Sequence, residues 1–259
     1  MLDIVLNLFS KQSKMSIKKH LPNFITLLNL LSGCIALLFV SSHRYELVFF
    51  FVCLGIFFDF FDGFFARLFN VQSPIGLQLD SLADMVTSGL VPGYVMFQLI
   101  FDYQNAGMSV LDPYFPVNHV LPLFGFAITL GSCYRLAKFN VDTRQTDSFI
   151  GLPTPANALL ILSLPLIITS TESDIAIQLL TNPYVLMGIS LLSVLLLNAE
   201  IPLFSLKVKG FSFEKNKVQL VFLALSVILL VFLKITAVPL VILLYVLLSL
   251  ISNRFAAKA

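Results

Sequence analysis

Long apolar runs separated by short polar connections organise this chain. Segments near 22–41, 46–69, 77–101, 120–139, 153–170, 183–198, 218–233 and 235–252 are almost free of charge outside a few acids and end residues. Most approach the roughly 20 apolar residues that cross a bilayer core as a helix. The pattern predicts an all-α, polytopic helical membrane protein of about eight spans, within a range of six to eight. The sixth and seventh segments are short, and only Lys234 and the stretch ITAVP separate the last two. That final pair also suits a re-entrant hairpin. No internal repeat, low-complexity tract or soluble domain interrupts the series, so one membrane domain over residues 21–252 is expected.

Composition agrees with this reading. The chain has 259 residues, of which 58% are hydrophobic and 12% charged, and its mean hydropathy is +0.94, outside the range of soluble domains. A net charge of +2 with dispersed basic residues gives no argument for nucleic acid. Their placement is more informative. Lys11, Lys14, Lys18, Lys19, Arg67, Arg135, Lys138, Arg144, Lys207, Lys209, Lys215, Lys217, Arg254 and Lys258 fall on one alternate set of connections. Only Arg44 and Lys234 fall on the other. Lys and Arg near span ends favour the cytoplasmic side, so the segment 1–20 and the tail 253–259 are both expected in the cytoplasm, flanking a multi-pass protein of the cytoplasmic (inner) membrane. The first 20 residues place their apolar part before their basic part, the reverse of a secretory signal, and suit a short interfacial helix. Cys34, Cys53 and Cys133 lie inside apolar segments and are expected as small buried side chains rather than disulfide or soft-metal partners. His20, His43 and His119 lack metal-ligand neighbours at useful spacing and are expected as interfacial polar residues.

One stretch breaks the apolar pattern. Residues 58–84 read FDFFDGFFARLFNVQSPIGLQLDSLAD, with Asp59, Asp62, Asp80 and Asp84 at the cytoplasmic ends of spans two and three. Residues three or four apart share a helix face, so Asp59 pairs with Asp62 on one helix and Asp80 with Asp84 on the next. Four neighbouring carboxylates cannot all stay ionised without positive compensation. Oxygen-only ligands suit hard cations such as Mg²⁺ or Mn²⁺, and no His or Cys nearby favours zinc. Four carboxylates could hold two such ions about 3.5 to 4 Å apart, the arrangement used in phosphoryl transfer, while one not fully committed to metal takes a proton from an attacking hydroxyl. Gly63, Ala66 and Gly76 permit close approach of backbone or ligand, and Arg67 offers a planar cationic fork to a phosphate. Intramembrane acids also mark ion or proton pathways, but transport does not require this spacing of Gly, Ala and Arg.

The same residues carry a resemblance. Asp59, Asp62, Gly63, Ala66, Arg67, Gly76, Asp80 and Asp84 reproduce the signature DxxDGxxARx(8)GxxxDxxxD of the CDP-alcohol phosphotransferases at every fixed position. The resemblance implies a membrane enzyme in which an alcohol displaces CMP from a CDP-linked group. It implies that Asp59, Asp62 and Asp80 bind two metal ions, and that Asp84 is the general base and also a metal contact. Asp62, Gly63, Ala66, Arg67 and Gly76 would seat the CDP moiety. The stretch LPNFITLLNL, with Pro22, Asn23 and Thr26, resembles the PNxxT start of the family's first span, beside the nucleotide pocket, although a plain helix start explains it as well. YRLAKFNV and FIGLPTPANA, within Tyr134 to Ala158, resemble the corresponding region of the membrane-spanning phosphatidylserine synthases of this family.

Together these implications give CDP-diacylglycerol and L-serine as substrates, phosphatidylserine and CMP as products, two Mg²⁺ or Mn²⁺ ions as cofactors, and a homodimer. Arg135 and Lys138, one turn apart at the cytoplasmic end of span four, could hold the lipid phosphate or the carboxylate of serine, or could be snorkelling anchors. Gly151, Pro153 and Pro155 form a rigid start to span five, with Asn157 just inside it as a polar ligand. An acceptor such as glycerol 3-phosphate or an inositol phosphate is the alternative, and it would call for a denser basic cluster. An ion or proton transporter lined by the acids is the rival from another class.

Overall fold

A computed structural model describes residues 2–104, 120–142, 149–204 and 217–256, with side chains over 20–104, 120–142, 150–204 and 218–252. Its helices are α1 (Leu2–Val40), α2 (Tyr45–Leu68), α3 (Pro74–Asp84), α4 (Val91–Gln104), α5 (Ala127–Val141), α6 (Thr154–Ser170), α7 (Asp174–Leu180), α8 (Pro183–Asn198), α9 (Lys217–Leu233) and α10 (Ala237–Ala256). Each of the eight apolar segments coincides with helix. A π-helical turn, Met85–Leu90, joins α3 to α4, and a 3-10 turn, Leu121–Phe126, leads into α5. Among the described residues the sole strand pairing is β1 (Phe149–Ile150) with β2 (Pro202–Leu203), antiparallel.

Four helical stretches are long and apolar enough to cross a membrane: His20–Val40, Tyr45–Leu68, Pro74–Gln104 and Val218–Ser252. A fifth results if α7 and α8, bent by 70°, form one broken span. The protein is therefore a polytopic helical membrane protein. The last stretch is not straight, because Lys234 adopts a left-handed φ of 50° and the rings of Phe222 and Tyr245 lie 5.5 Å apart. In a straight helix those residues would be separated by roughly 35 Å. Hence α9 and α10 fold back on one another as a hairpin.

Burial distinguishes the helices. The α3–α4 stretch is 72% buried, against 11% for the α9–α10 stretch, so α3–α4 is the central element and α9–α10 presents its Leu, Val and Phe side chains outward. Val40, Val48, Val52, Met96, Ile100, Ile128 and Ile161 form the main core between α1, α2, α4, α5 and α6. Leu152, Leu203, Ile242 and Tyr245 form a smaller one that ties α10 to the strand pair. Gly125 marks the tightest helix approach: a Cβ there would sit 2.7 Å from Phe97 Cα and 2.9 Å from Met96 C. Gly151 has φ +77°, donates to Ile201 O at 3.0 Å, and leaves Leu152 to donate to Leu196 O at 2.9 Å. This junction fixes the start of α6 against the end of α8, with Pro155 in the first turn of α6, as expected for span five.

Two expectations change. Helix α1 runs unbroken from Leu2, so Pro22 lies inside a helix rather than at a helix start, near the beginning of the membrane-crossing stretch His20–Val40. Cys34 and Cys133 are exposed and Cys53 half-buried, because these apolar positions face outward from the bundle, where lipid and not protein covers them. His43 is tied to the end of α4 by a 2.9 Å contact from Nε2 to Asp102 Oδ2 at the end of the bundle where α1 turns into α2. His119, Arg144 and the lysines from Lys207 to Lys215 lie outside the described residues.

Gly125→Ala should lower thermal stability by about 1–3 kcal/mol, because the backbone it would strike cannot give way as a side chain can. Thermal unfolding of the purified protein in detergent measures this.

Candidate active site

The acids sit where α2 and α3 meet. Ser73 caps α3 by accepting from Gly76 N at 3.1 Å, and Pro74 occupies its first turn, where a missing N–H leaves nothing unsatisfied. This sharp start turns α3 back beside the end of α2. The carboxylate oxygens of Asp59, Asp62 and Asp80 consequently lie within 4.8 Å of one another. Asp84, one turn beyond Asp80, stands outside that trio but interacts electrostatically with Asp59, Asp62 and Asp80. Asp62 and Asp84 are buried, at 5% and 9% exposure, whereas Asp59 and Asp80 are half-buried.

Helix α1 supplies donors to this site. Thr26 donates its hydroxyl to Asp62 Oδ2, and its Oγ1 also lies 3.1 Å from Pro22 O. Asn29 donates from Nδ2 to Asp84 Oδ1 at 3.1 Å. The carbonyl of Asn29 in turn accepts from Thr87 Oγ1 at 3.1 Å, inside the π-helical turn. Asn23 Oδ1 lies over Gly76, where a Cβ would come within 3.2 Å of it. Arg67 folds its guanidinium over Gly63 and interacts electrostatically with Asp62. Ala66 sits between them on α2, and its carbonyl accepts from Val71 N at 3.0 Å in the turn toward α3.

The donor set fits a divalent cation. Three carboxylates converge with no His or Cys among them, and neither ion pair found among the described residues, His43–Asp102 or Lys138–Glu200, engages them. Hard, oxygen-preferring ions such as Mg²⁺ or Mn²⁺ suit such a cluster.

Arg135 extends the site from α5. It is 8% exposed, interacts electrostatically with Asp84, and its Nε has no partner. Asn157 on α6 is fully buried with both side-chain amide atoms unpartnered. Lys138 donates to Glu200 at 3.3 Å and lines a shallow recess with Arg135, Ile150, Leu197, Asn198 and Ala199. The structure thus brings Thr26, Asn23, Gly63, Arg67, Gly76 and Arg135 to the acids, whereas Lys138 faces an acidic partner at the rim.

Asn29 and Thr87 are the residues that sequence reasoning missed. The signal was present: Asn23, Thr26, Asn29 and Ser32 recur every third position through an apolar span, and the last three are at most 4% exposed. Glu200 was also missed, since it lies 62 positions from Lys138 and is brought to it by the packing of α8 on α5, where Asn198 Nδ2 donates to Gly131 O at 3.2 Å.

Comparison with known proteins agrees with the geometry. The family profile described as CDP-alcohol phosphatidyltransferase matches residues 19–251. A CDP-diacylglycerol–serine O-phosphatidyltransferase of Bacillus subtilis (strain 168) is 32% identical over 140 residues, covering 52% of this chain and 70% of that protein. Proteins of the same name from Helicobacter pylori (strain J99) and Saccharomyces cerevisiae are each 32% identical, over 143 and 161 residues. Those matches span about half of this chain and about half of each relative. All of this favours catalysis over transport as the purpose of the acids.

If the trio holds a cation, Mn²⁺ should raise the melting temperature of the purified protein, because a ligand bound to the folded state alone stabilises it. Differential scanning fluorimetry should show that rise in the wild type and its loss in Asp59→Asn or Asp80→Asn.

Proposed function

We propose a specific reaction for this chain, which belongs to the CDP-alcohol phosphatidyltransferase family: transfer of the phosphatidyl group from CDP-diacylglycerol to the hydroxyl of L-serine, with release of CMP. The observation that carries the reading is the convergence of Asp59, Asp62 and Asp80 within 4.8 Å, with Asp84 held beside them by Asn29. The chain, at 32% identity to relatives named for serine transfer, takes its acceptor by inference from them.

In this reading Asp59, Asp62 and Asp80, with Asp84 at their edge, hold two divalent cations. When bound, these ions neutralise the pyrophosphate and stabilise the charge that develops on the departing CMP. Asn23, Thr26, Gly63, Ala66, Arg67 and Gly76 surround the CDP moiety, with Thr26 acting through Asp62 and Pro22 serving as part of the α1 backbone. Asp84 accepts the proton of the serine hydroxyl. The serine oxygen forms a bond to the phosphorus bearing diacylglycerol as the bond from that phosphorus to the CMP oxygen breaks. Arg135 and Asn157, buried with unpartnered polar atoms, await a polar substrate group such as the serine carboxylate or the lipid phosphate, and Lys138 adds charge at the rim.

The Lys138–Glu200 pair favours serine over a phosphorylated acceptor. An acid at the rim repels a second phosphate, whereas a zwitterionic amino acid tolerates both signs. The wider frame of the proposal is a multi-pass inner-membrane enzyme with eight crossings, cytoplasmic termini and a cytoplasmic site, working as a homodimer.

Purified protein given CDP-diacylglycerol and Mn²⁺ or Mg²⁺ should release CMP with L-serine and not with glycerol 3-phosphate or inositol phosphate. Asp84→Asn should abolish that release. Release with another of these alcohols would reassign the acceptor, and no release with any alcohol would sink the enzymatic reading.

A further inference from the structure

We infer that Asn29 is the positioning residue for Asp84, fixing which carboxylate oxygen faces the acceptor hydroxyl; the inference rests on Asp84 being the general base. Asn29 is fully buried and holds Asp84 from the side of α1, through Nδ2 to Oδ1 at 3.1 Å. A side-chain amide nitrogen only donates, so this contact favours the carboxylate and occupies Oδ1. Oδ2 is left to receive a proton.

The amide has little freedom to leave. A Cβ built at Gly55 on α2 would lie 2.8 Å from Asn29 Oδ1, which places the amide directly against the α2 backbone. On its other side the Asn29 carbonyl accepts from Thr87 Oγ1, so one residue of α1 grips both Asp84 and the π-helical turn that follows it. Thr87 is itself confined, since a Cβ at Gly33 would come within 3.0 Å of its Cα. Two glycines, one threonine and one asparagine therefore set the rotation of the last turn of α3.

The four acids divide accordingly. Asp59 and Asp80 reach toward each other with no tie to α1, Asp62 is held by Thr26, and Asp84 is held by Asn29 outside the trio that converges within 4.8 Å. Loss of the Asn29 amide should slow turnover while leaving cation binding to the trio intact.

The test uses the full chain, purified in detergent, with Asn29→Leu as the near-isosteric variant and Asn29→Ser as a second that keeps a polar group too short to reach Asp84. The expected result is a fall in kcat of roughly 10- to 100-fold, the range for a lost hydrogen bond to a charged group. KM for CDP-diacylglycerol and serine, and the melting shift caused by Mn²⁺, should be retained. An unchanged kcat in a folded variant overturns the inference while leaving Asp84 as the base. A loss of the Mn²⁺ shift in parallel with kcat overturns it in favour of a purely structural role. Full activity in Asp84→Asn overturns the reading of Asp84 and the inference together.

Discussion

Carboxylates cannot be placed among apolar helices without replacement of the water they give up, and this constraint organises the end of the bundle where α2 meets α3. An isolated ionised carboxylate in a medium of low dielectric is strongly disfavoured, so buried acids need donors, cations or both. Here the donors come from one helix, and the converging carboxylates suit a divalent cation. Thr26 and Asn29 donate to the two buried acids, whereas Asp59 and Asp80, partly exposed, converge with Asp62 in an arrangement that a bound cation or a shared proton relieves.

That division explains why α1, α2 and α3 pack as they do. Helix α1 must come close enough for two short polar side chains to reach α2 and α3. Small residues allow it: Gly33 on α1 and Gly55 on α2 flank Thr87, and Gly76 opens α3 beneath Asn23. The π-helical turn Met85–Leu90 interrupts the central helix directly after Asp84. Such turns often mark functional sites, and here Thr87 within it returns a bond to α1. Farther out, the junction at Gly151 ties the start of α6 to the end of α8, while Arg135 on α5 interacts electrostatically with Asp84.

Much of this was legible in the residues themselves. The apolar runs give the helices, because their length is set by the bilayer, and the positions from Asp59 to Asp84 mark the candidate site, because helical spacing sets Asp59 with Asp62 and Asp80 with Asp84 on one face of each helix. What sequence spacing does not carry is contact between distant segments. Asn29 reads as one polar residue in an apolar span until α3 is laid beside it, and the pairing of Lys138 with Glu200 is invisible until the end of α8 is laid beside α5. Cys34 and Cys133 reverse their expected burial for a related reason: apolar sequence says that a position avoids water, but not whether lipid or protein covers it. The continuity of α1 through Pro22 was likewise hidden, since a proline beside polar residues reads as a helix start.

Anomalous scattering from crystals grown with Mn²⁺ and CDP-diacylglycerol tests the metal-compensated site most directly. Manganese density among the carboxylates of Asp59, Asp62 and Asp80, with the pyrophosphate against it, is the predicted result. Crystals holding the lipid nucleotide but no manganese at those carboxylates would contradict it.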